Sequence, residues 1–262
     1  MDENTILFTN RGNELTVRDV KNRLYSVGIR KGDDVVVHSQ IFGIGKPQLD
    51  KNDLLNVIIE LILDYIGEDG TLIMPTFSYS FCDGEVFDVA KSISKVGILT
   101  EAFRNYKGVK RSEHPIFSFA IKGSRESYYL DISDDAFDAN SVYGKLIKQN
   151  GKLLYFGANV GFTAYYLSEA YIGVPHRYYK NFSGTIILEN GKIIEKTVPY
   201  YVRDYAKEHN DLDEKKLVDF LVERELINQM NMLAGSISCI FIRRMYESVV
   251  SKLRDDDSYF LQ

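Results

Sequence analysis

Tryptophan is absent from this 262-residue chain, and cysteine occurs only twice. Two cysteines exclude a disulfide framework. With no secretory leader in the first ten residues, the expectation is a cytoplasmic chain with reduced thiols. Proline is scarce, at five residues. No Pro/Gly/Ser-rich linker, internal repeat or low-complexity tract divides the chain, so it reads as one domain over residues 1–262, with a hairpin and helix elaboration at about 180–235. No apolar run is long enough to span a bilayer. Neither sign of charge dominates: 32 Lys and Arg face 37 Asp and Glu, a net charge of −5. Such a balance gives no long-range pull toward nucleic acid or a membrane, and neither is expected as a partner.

Familiar chemical motifs are missing too. There is no P-loop and no Gly-x-Ser-x-Gly elbow, and Gly43-Ile-Gly45 lacks the third glycine of a dinucleotide fingerprint. His38, His114, His176 and His209 are scattered without ligand spacing, so no metal is expected. Cys82, alone in an aromatic loop, suits a small buried hydrophobe better than a nucleophile.

The hydrophobic share of 45% and charged share of 26% are those of a globular protein. Apolar spacing predicts a helix over Val17–Val27, a doubly buried strand over Val35–His38, and a helix capped by Asp50 or Asn52 that runs to Tyr65. Gly67–Gly70 ends it, and Thr71–Met74 and Lys152–Phe156 read as further strands. A helix starts near Thr163. Thr185–Ile194 reads as a hairpin with a type I′ turn at Asn190-Gly191, and Asp211–Leu233 as an amphipathic helix. Strands separated by helices imply an α/β fold with a central, mostly parallel or mixed sheet flanked by helices. In such sheets ligands sit beyond the carboxyl ends of the strands, which directs attention to His38-Ser39-Gln40, to Pro75–Tyr79 and to Gly157–Gly161.

The segments at those strand ends resemble a known family. Val36–Gly43, Gly70–Gly84, Arg111–Ala120, Asn140–Leu146 and Gly151–Gly157 match, in order, the aminoglycoside 3-N-acetyltransferase-like family, and the likeness extends from about Leu15 to Leu261. The resemblance implies a CoA-dependent N-acyltransferase with a non-GNAT acyltransferase fold. The stretch Tyr79–Glu85 looks more like members that act on surface-polysaccharide sugars. One departure stands out. The family carries a histidine in a Thr-x-x-His-x-x-Glu segment after the Leu-Tyr-Phe-Gly strand; here the segment is Thr163-Ala-Tyr-Tyr166-Leu-Ser-Glu169, with Tyr166 at the histidine position.

Acyl transfer from a thioester to an amine needs a neutral amine, a stabilised oxyanion and a leaving thiolate. Thr163, Tyr166 and Glu169 lie at helical spacing, with Thr163 as a candidate N-cap. A phenol near pH 10 is a poor base, so Tyr166 is expected to donate a hydrogen bond to the oxyanion or a proton to the sulfur. The amine proton then goes to water or to a carboxylate such as Glu169 or Asp83. For coenzyme A the resemblance points to His38, Ser39, Gln40, Thr76, Arg111, Ser112 and Phe117, with Lys110 adjoining; His114, before Pro115, reads as fixing a turn. The acceptor side is aromatic, led by Phe77 and Tyr79, with Asp83 and Glu85 to meet a cationic amine or sugar hydroxyls. Phe81, Tyr165, Tyr171, Tyr178 and Tyr179 extend that aromatic group.

The leading expectation is transfer of an acetyl or 3-hydroxybutyryl-sized group from acyl-CoA to the amine of a nucleotide-linked (dTDP) amino-deoxy sugar. The small residues Ala158, Gly161 and Ala164 would admit the larger group. Two alternatives stand beside it: an aminoglycoside 3-N-acetyltransferase of the antibiotic-resistance type, and a non-catalytic descendant that binds CoA or a sugar nucleotide.

Overall fold

The structure, a computed structural model, describes residues 2–206 and 210–262; the His209 of the sequence reading lies outside them. Strands β1 (Ile6–Asn10) and β2 (Asn13–Thr16) lead into helix α1 (Val17–Val27), which Thr16 starts with a capping box to Asp19. Next come β3 (Asp34–Ser39), β4 (Lys46–Pro47), α2 (Lys51–Ile66), β5 (Thr71–Pro75), β6 (Phe87–Asp88) and α3 (Ile98–Arg104). β7 (Lys110–Arg111), β8 (Phe119–Gly123), α4 (Glu126–Leu130), α5 (Val142–Lys148), β9 (Lys152–Phe156) and α6 (Tyr166–Ile172) follow. The chain ends through β10 (Arg177–Ile187), β11 (Ile193–Arg203), α7 (Glu214–Glu223), β12 (Ile227–Asn231), β13 (Ser236–Phe241) and α8 (Ile242–Asp255).

Seven strands form the central sheet in the order β12-β13-β9-β3-β5-β8-β7. Only β9, β3 and β5 run parallel; both flanks are antiparallel, so the sheet is mixed. Strands from both halves of the chain enter it. Alternation along each strand sends Val35, Val37, Leu72, Met74, Leu154 and Phe156 to a core shared with α1, α2 and α3. Val36, Ile73, Leu153 and Tyr155 face a second core, under α5, α6, α8 and the β10–β11 hairpin. Apolar residues on every strand of the parallel trio are therefore buried on both faces, as their near-continuous hydrophobic runs require.

Two expectations for the second half change. The hairpin exists but is much longer, with eleven residues per strand. Its turn is not type I′: Gly191 alone has positive φ, at 81°, and its N–H returns to the Leu188 carbonyl while Leu188 N–H meets Lys192 O. That geometry is a three-residue loop closed by a glycine bulge. The helix expected over Asp211–Leu233 stops at Glu223. Glu225 turns to φ 53°, and Ile227–Asn231 instead pairs antiparallel with β13. Helical spacing of Leu226, Ile227 and Met230 misled here because the free edge of β13 captures that segment.

At the amino ends of the strands, buried Asp34 accepts a hydrogen bond from Tyr129 Oη at 2.8 Å and meets Arg125 at 3.1 Å, tying α4 to the sheet. Tyr129→Phe leaves Asp34 short of a buried partner and is expected to lower unfolding free energy by about 1–3 kcal/mol in urea denaturation.

Candidate active site

The carboxyl ends of β3, β5 and β9 open at one end of the sheet. Parallel register places His38 opposite Tyr155 and Ser39 opposite Phe156. His38 stacks on Tyr155, ring centroids 5.1 Å apart. Desolvation pulls its pKa down to about 4, so the ring is neutral at pH 7 and a weak proton acceptor. Ser39 is half-buried and Gln40 exposed. Gly157, at φ 67°, seals the neighbouring loop: a Cβ there would come within 2.5 Å of Ile44 and 2.9 Å of Gln40 O.

Beyond these tips lies an aromatic wall. Phe117 meets Phe77, Tyr79, Phe137 and Tyr200 with centroids 4.9–5.8 Å apart, and Phe137 continues to Tyr166 at 5.8 Å. The structure thus brings together Phe77, Tyr79, Phe117 and Tyr166 from the sequence reading. Phe117 stands at the centre of this wall. Tyr79 adopts φ 55°, held because its carbonyl accepts from Cys82 N at 2.9 Å and Asp83 N at 3.1 Å. Cys82 beside it is half-buried, and burial raises its pKa, which weighs against a nucleophile.

The helix after β9 departs from expectation. Thr163 caps nothing; it begins a 3-10 turn (Thr163–Tyr165), and its side chain lies beside the Tyr143 hydroxyl. Tyr166 is half-buried, with the Arg177 guanidinium 4.0 Å above its ring. Glu169, 1% exposed, pairs with Arg177 Nε at 2.5 Å and lies 3.0 Å from His176 Nε2. Enclosed at 1% exposure between Arg177 and His176, Glu169 presents no free face to an acceptor amine, so the expected base role does not fit its surroundings.

Several expected contacts lie elsewhere. Arg111, 7% exposed, donates to Thr76 Oγ1, Thr76 O, Ser118 Oγ, Val89 O and Ser92 O, and its guanidinium sits over the Phe87 ring. It ties loops together and presents nothing to a phosphate. Thr76 is engaged in the same cluster. Ser112 is buried, its Oγ accepting from Phe119 N at 2.9 Å. Lys110 pairs with Glu126 at 2.8 Å. Asp83 and Glu85 are exposed on a turn and both face Lys95, at 2.6 and 3.8 Å. Phe81 is core, packed on Gly184, and Tyr165 is core as well. Tyr171 lies away from the wall, against Tyr246 and Arg254, and Tyr178 is exposed. His114 does hold a turn: its Nδ1 accepts from Ile116 and Phe117 N–H groups, and its Nε2 lies 3.2 Å from Asp134 O.

Sequence reading missed Phe137, Tyr200, Arg177 and the acidic segment that carries Phe137. That segment holds Asp131, Asp134, Asp135 and Asp138, four aspartates within eight residues, which was a visible signal. Asp134 pairs with Lys196 at 2.5 Å. Asp135 and Asp138 have no ion-pair partner among the described residues. Asp135 accepts from Tyr179 Oη and Phe137 N, and burial raises its pKa.

Comparison with known proteins places this geometry. AAC(3)-Xa, an aminoglycoside acetyltransferase, superposes with TM-score 0.79 at 22% identity over 92% of this chain and 93% of its own. The apoenzyme of aminoglycoside acetyltransferase AAC(3)-IVa gives 0.74 at 25%, over 97% and 94%. AAC-IIIb in binary complex with CoASH gives 0.76 at 20%, over 92% and 97%. The fold is thus that of acyl-CoA-dependent N-acyltransferases outside the GNAT type. An SPbeta prophage-derived aminoglycoside N(3')-acetyltransferase-like protein of Bacillus subtilis (strain 168) is 27% identical over 68% of this chain and 72% of its own. Aminoglycoside N(3)-acetyltransferase IV of Salmonella sp is 29% identical over 78% and 75%. The sequence profile of the aminoglycoside 3-N-acetyltransferase family matches residues 36–254, and the chain belongs to that family.

Two outcomes follow from the buried polar groups. Glu169→Gln leaves Arg177 buried without its counter-charge and is expected to lower stability by about 3–5 kcal/mol, read by urea denaturation at pH 7. Desolvation holds the His114 pKa at about 4 against 6.5 when unfolded. Between those values the unfolded chain binds more protons, so stability falls as pH drops below about 6.5 and the loss is complete near 4. At pH 5 the loss is about 2 kcal/mol for this ring, and His114→Asn should flatten the stability–pH curve between pH 7 and 4.5.

Proposed function

We propose that this protein transfers an acetyl group from acetyl-CoA to a ring amine of an aminoglycoside. The observation that carries the reading is the pair of half-buried carboxylates, Asp135 and Asp138, without a cationic partner among the described residues, flanking Phe137 in the aromatic wall. A polycationic amino sugar supplies the missing positive charge to the acids and flat apolar faces to the rings. The curated relatives reported above are named for aminoglycosides, which favours this alternative over the nucleotide-linked sugar expected from Tyr79–Glu85. That stretch also loses its argument, since Lys95 already meets Asp83 and Glu85.

The residues present fit a CoA arm. A cavity of about 550 Å³ opens where α2 begins, lined by Lys51, Asn52, Ser94, Lys95 and Gly97. Gly97 borders the Ser39 carbonyl. In this reading Lys51 and the α2 N-terminus take the phosphates, the pantetheine passes Ser39 and Gln40, and the thioester reaches the tips near His38. Acceptor amine and thioester then meet between the strand tips and the wall. Tyr166 lines the acceptor side, its ring fixed by Phe137 and Arg177. With Glu169 tied to Arg177, the amine proton leaves to water, and rate comes mainly from orientation, up to roughly 7–11 kcal/mol of barrier.

A thiol-release assay with acetyl-CoA tests the reading: release is expected with kanamycin- or gentamicin-like acceptors. The double change Asp135→Asn and Asp138→Asn should raise the aminoglycoside KM on the order of tenfold or more, with the acetyl-CoA KM unchanged. Release only with a dTDP-amino sugar would overturn it.

A further inference from the structure

We propose that Tyr79, Tyr166 and Tyr200 set acceptor specificity, their hydroxyls hydrogen-bonding ring hydroxyls of the aminoglycoside while Asp135 and Asp138 take its amines. The inference rests on the function proposed above and adds which part of the acceptor is read, and by what. The three tyrosines come from separate elements: the turn after β5, the start of α6 and strand β11. Ring contacts bring them to one wall. Tyr79 packs on Phe77 at 6.2 Å and Phe117 at 5.8 Å, and Tyr200 on Phe117 at 4.9 Å and Phe137 at 6.4 Å. Tyr166 packs on Phe137 at 5.8 Å, under the Arg177 guanidinium. Each of the three is half-buried, so each keeps a face open to solvent. Among the described residues none of their hydroxyls has a hydrogen-bond partner. Nearby phenols differ: Tyr155 donates to Gly161 O at 2.6 Å, Tyr179 to Asp135 at 2.8 Å and Tyr201 to Val174 O at 3.3 Å.

Tyr79 carries a second sign. A bulky side chain at φ 55° is strained, and glycine or asparagine would make the same turn at less cost. The turn by itself gives no reason for a phenol there; a ligand on the wall does. Burial raises the pKa of Tyr79 and of Tyr200, with Cys82 and Tyr166 beside both adding to it, so these two phenols stay protonated at pH 7. A phenol both donates and accepts, as a sugar hydroxyl does, whereas an ionised carboxylate only accepts. The wall therefore divides the acceptor: its ammonium groups suit the two aspartates, and its hydroxyls suit the three phenols. Rings already fixed by aromatic neighbours give up little freedom when such a bond forms. Because the phenols meet water in the free protein, each bond contributes a modest amount, and a missing sugar hydroxyl leaves its phenol without a partner.

The test compares kcat/KM for kanamycin and for a panel of its analogues, each lacking one ring hydroxyl. It uses the wild type, Tyr79→Phe, Tyr166→Phe and Tyr200→Phe. In the wild type, loss of at least one hydroxyl is expected to cost on the order of tenfold. The same loss is expected to cost less than about threefold in the matching variant, since the bond is already gone. Both acceptors meet the same enzyme, so a packing role lowers them together. A kanamycin-to-analogue ratio that keeps its wild-type value in every variant therefore overturns the proposal. So does a wild type that loses less than about threefold with every analogue. Both results leave the function standing, because kanamycin-dependent thiol release by the wild type is read separately. Absence of that release with every aminoglycoside tried overturns the function and this proposal with it.

Discussion

In parallel register, β9, β3 and β5 end at one level, and antiparallel β13 and β8 hold that level from either side. The main features of the site descend from this alignment. His38 and Tyr155 stack because the pairing sets them opposite each other on the same face. The loops that leave the three tips must then turn within a few residues, and Gly157 and Tyr79 do so with left-handed backbone. Side chains on those turns are brought to one place by backbone hydrogen bonds, before any specific packing between them is considered.

Around the tips, the electrostatic character is unusual for a site that handles an amine. The imidazole at the tip is dried out, and the carboxylate beneath Tyr166 already has a guanidinium. Arg177 serves two neighbours at once: its charge balances Glu169 and its planar face lies over the Tyr166 ring. Beside them stand phenols, which donate hydrogen bonds and do not take protons near pH 7, and the carboxylates of Asp135 and Asp138 on the segment that carries Phe137.

Much of the fold was legible from residue periodicity. The helix Val17–Val27 and the strand Lys152–Phe156 stand where hydrophobic spacing and turn residues set them, because their local and tertiary preferences agree. Residues 224–231 were misread because pairing with β13 overrode a helical pattern. The site was harder to read. Ordered segments shared with the family pointed to the strand ends, and Phe77, Tyr79, Phe117 and Tyr166 do come together beyond them. Arg111 and Ser112 were misjudged, since charge and polarity in a sequence carry no sign of burial. Asp83 and Glu85, expected on the acceptor side, instead sit on an exposed turn against Lys95, a long-range pairing that their local sequence does not announce. Nothing local in the sequence says that Arg177 reaches Glu169.

The long β10–β11 hairpin reaches the wall through Tyr200, which packs on both Phe117 and Phe137. Among the described residues it has no partner in the seven-stranded sheet and pairs only with short β6. One side of the aromatic wall is therefore carried by a hairpin outside the seven-stranded sheet. Changes in that hairpin can reshape the wall while the backbone hydrogen bonds that fix the strand tips stay as they are.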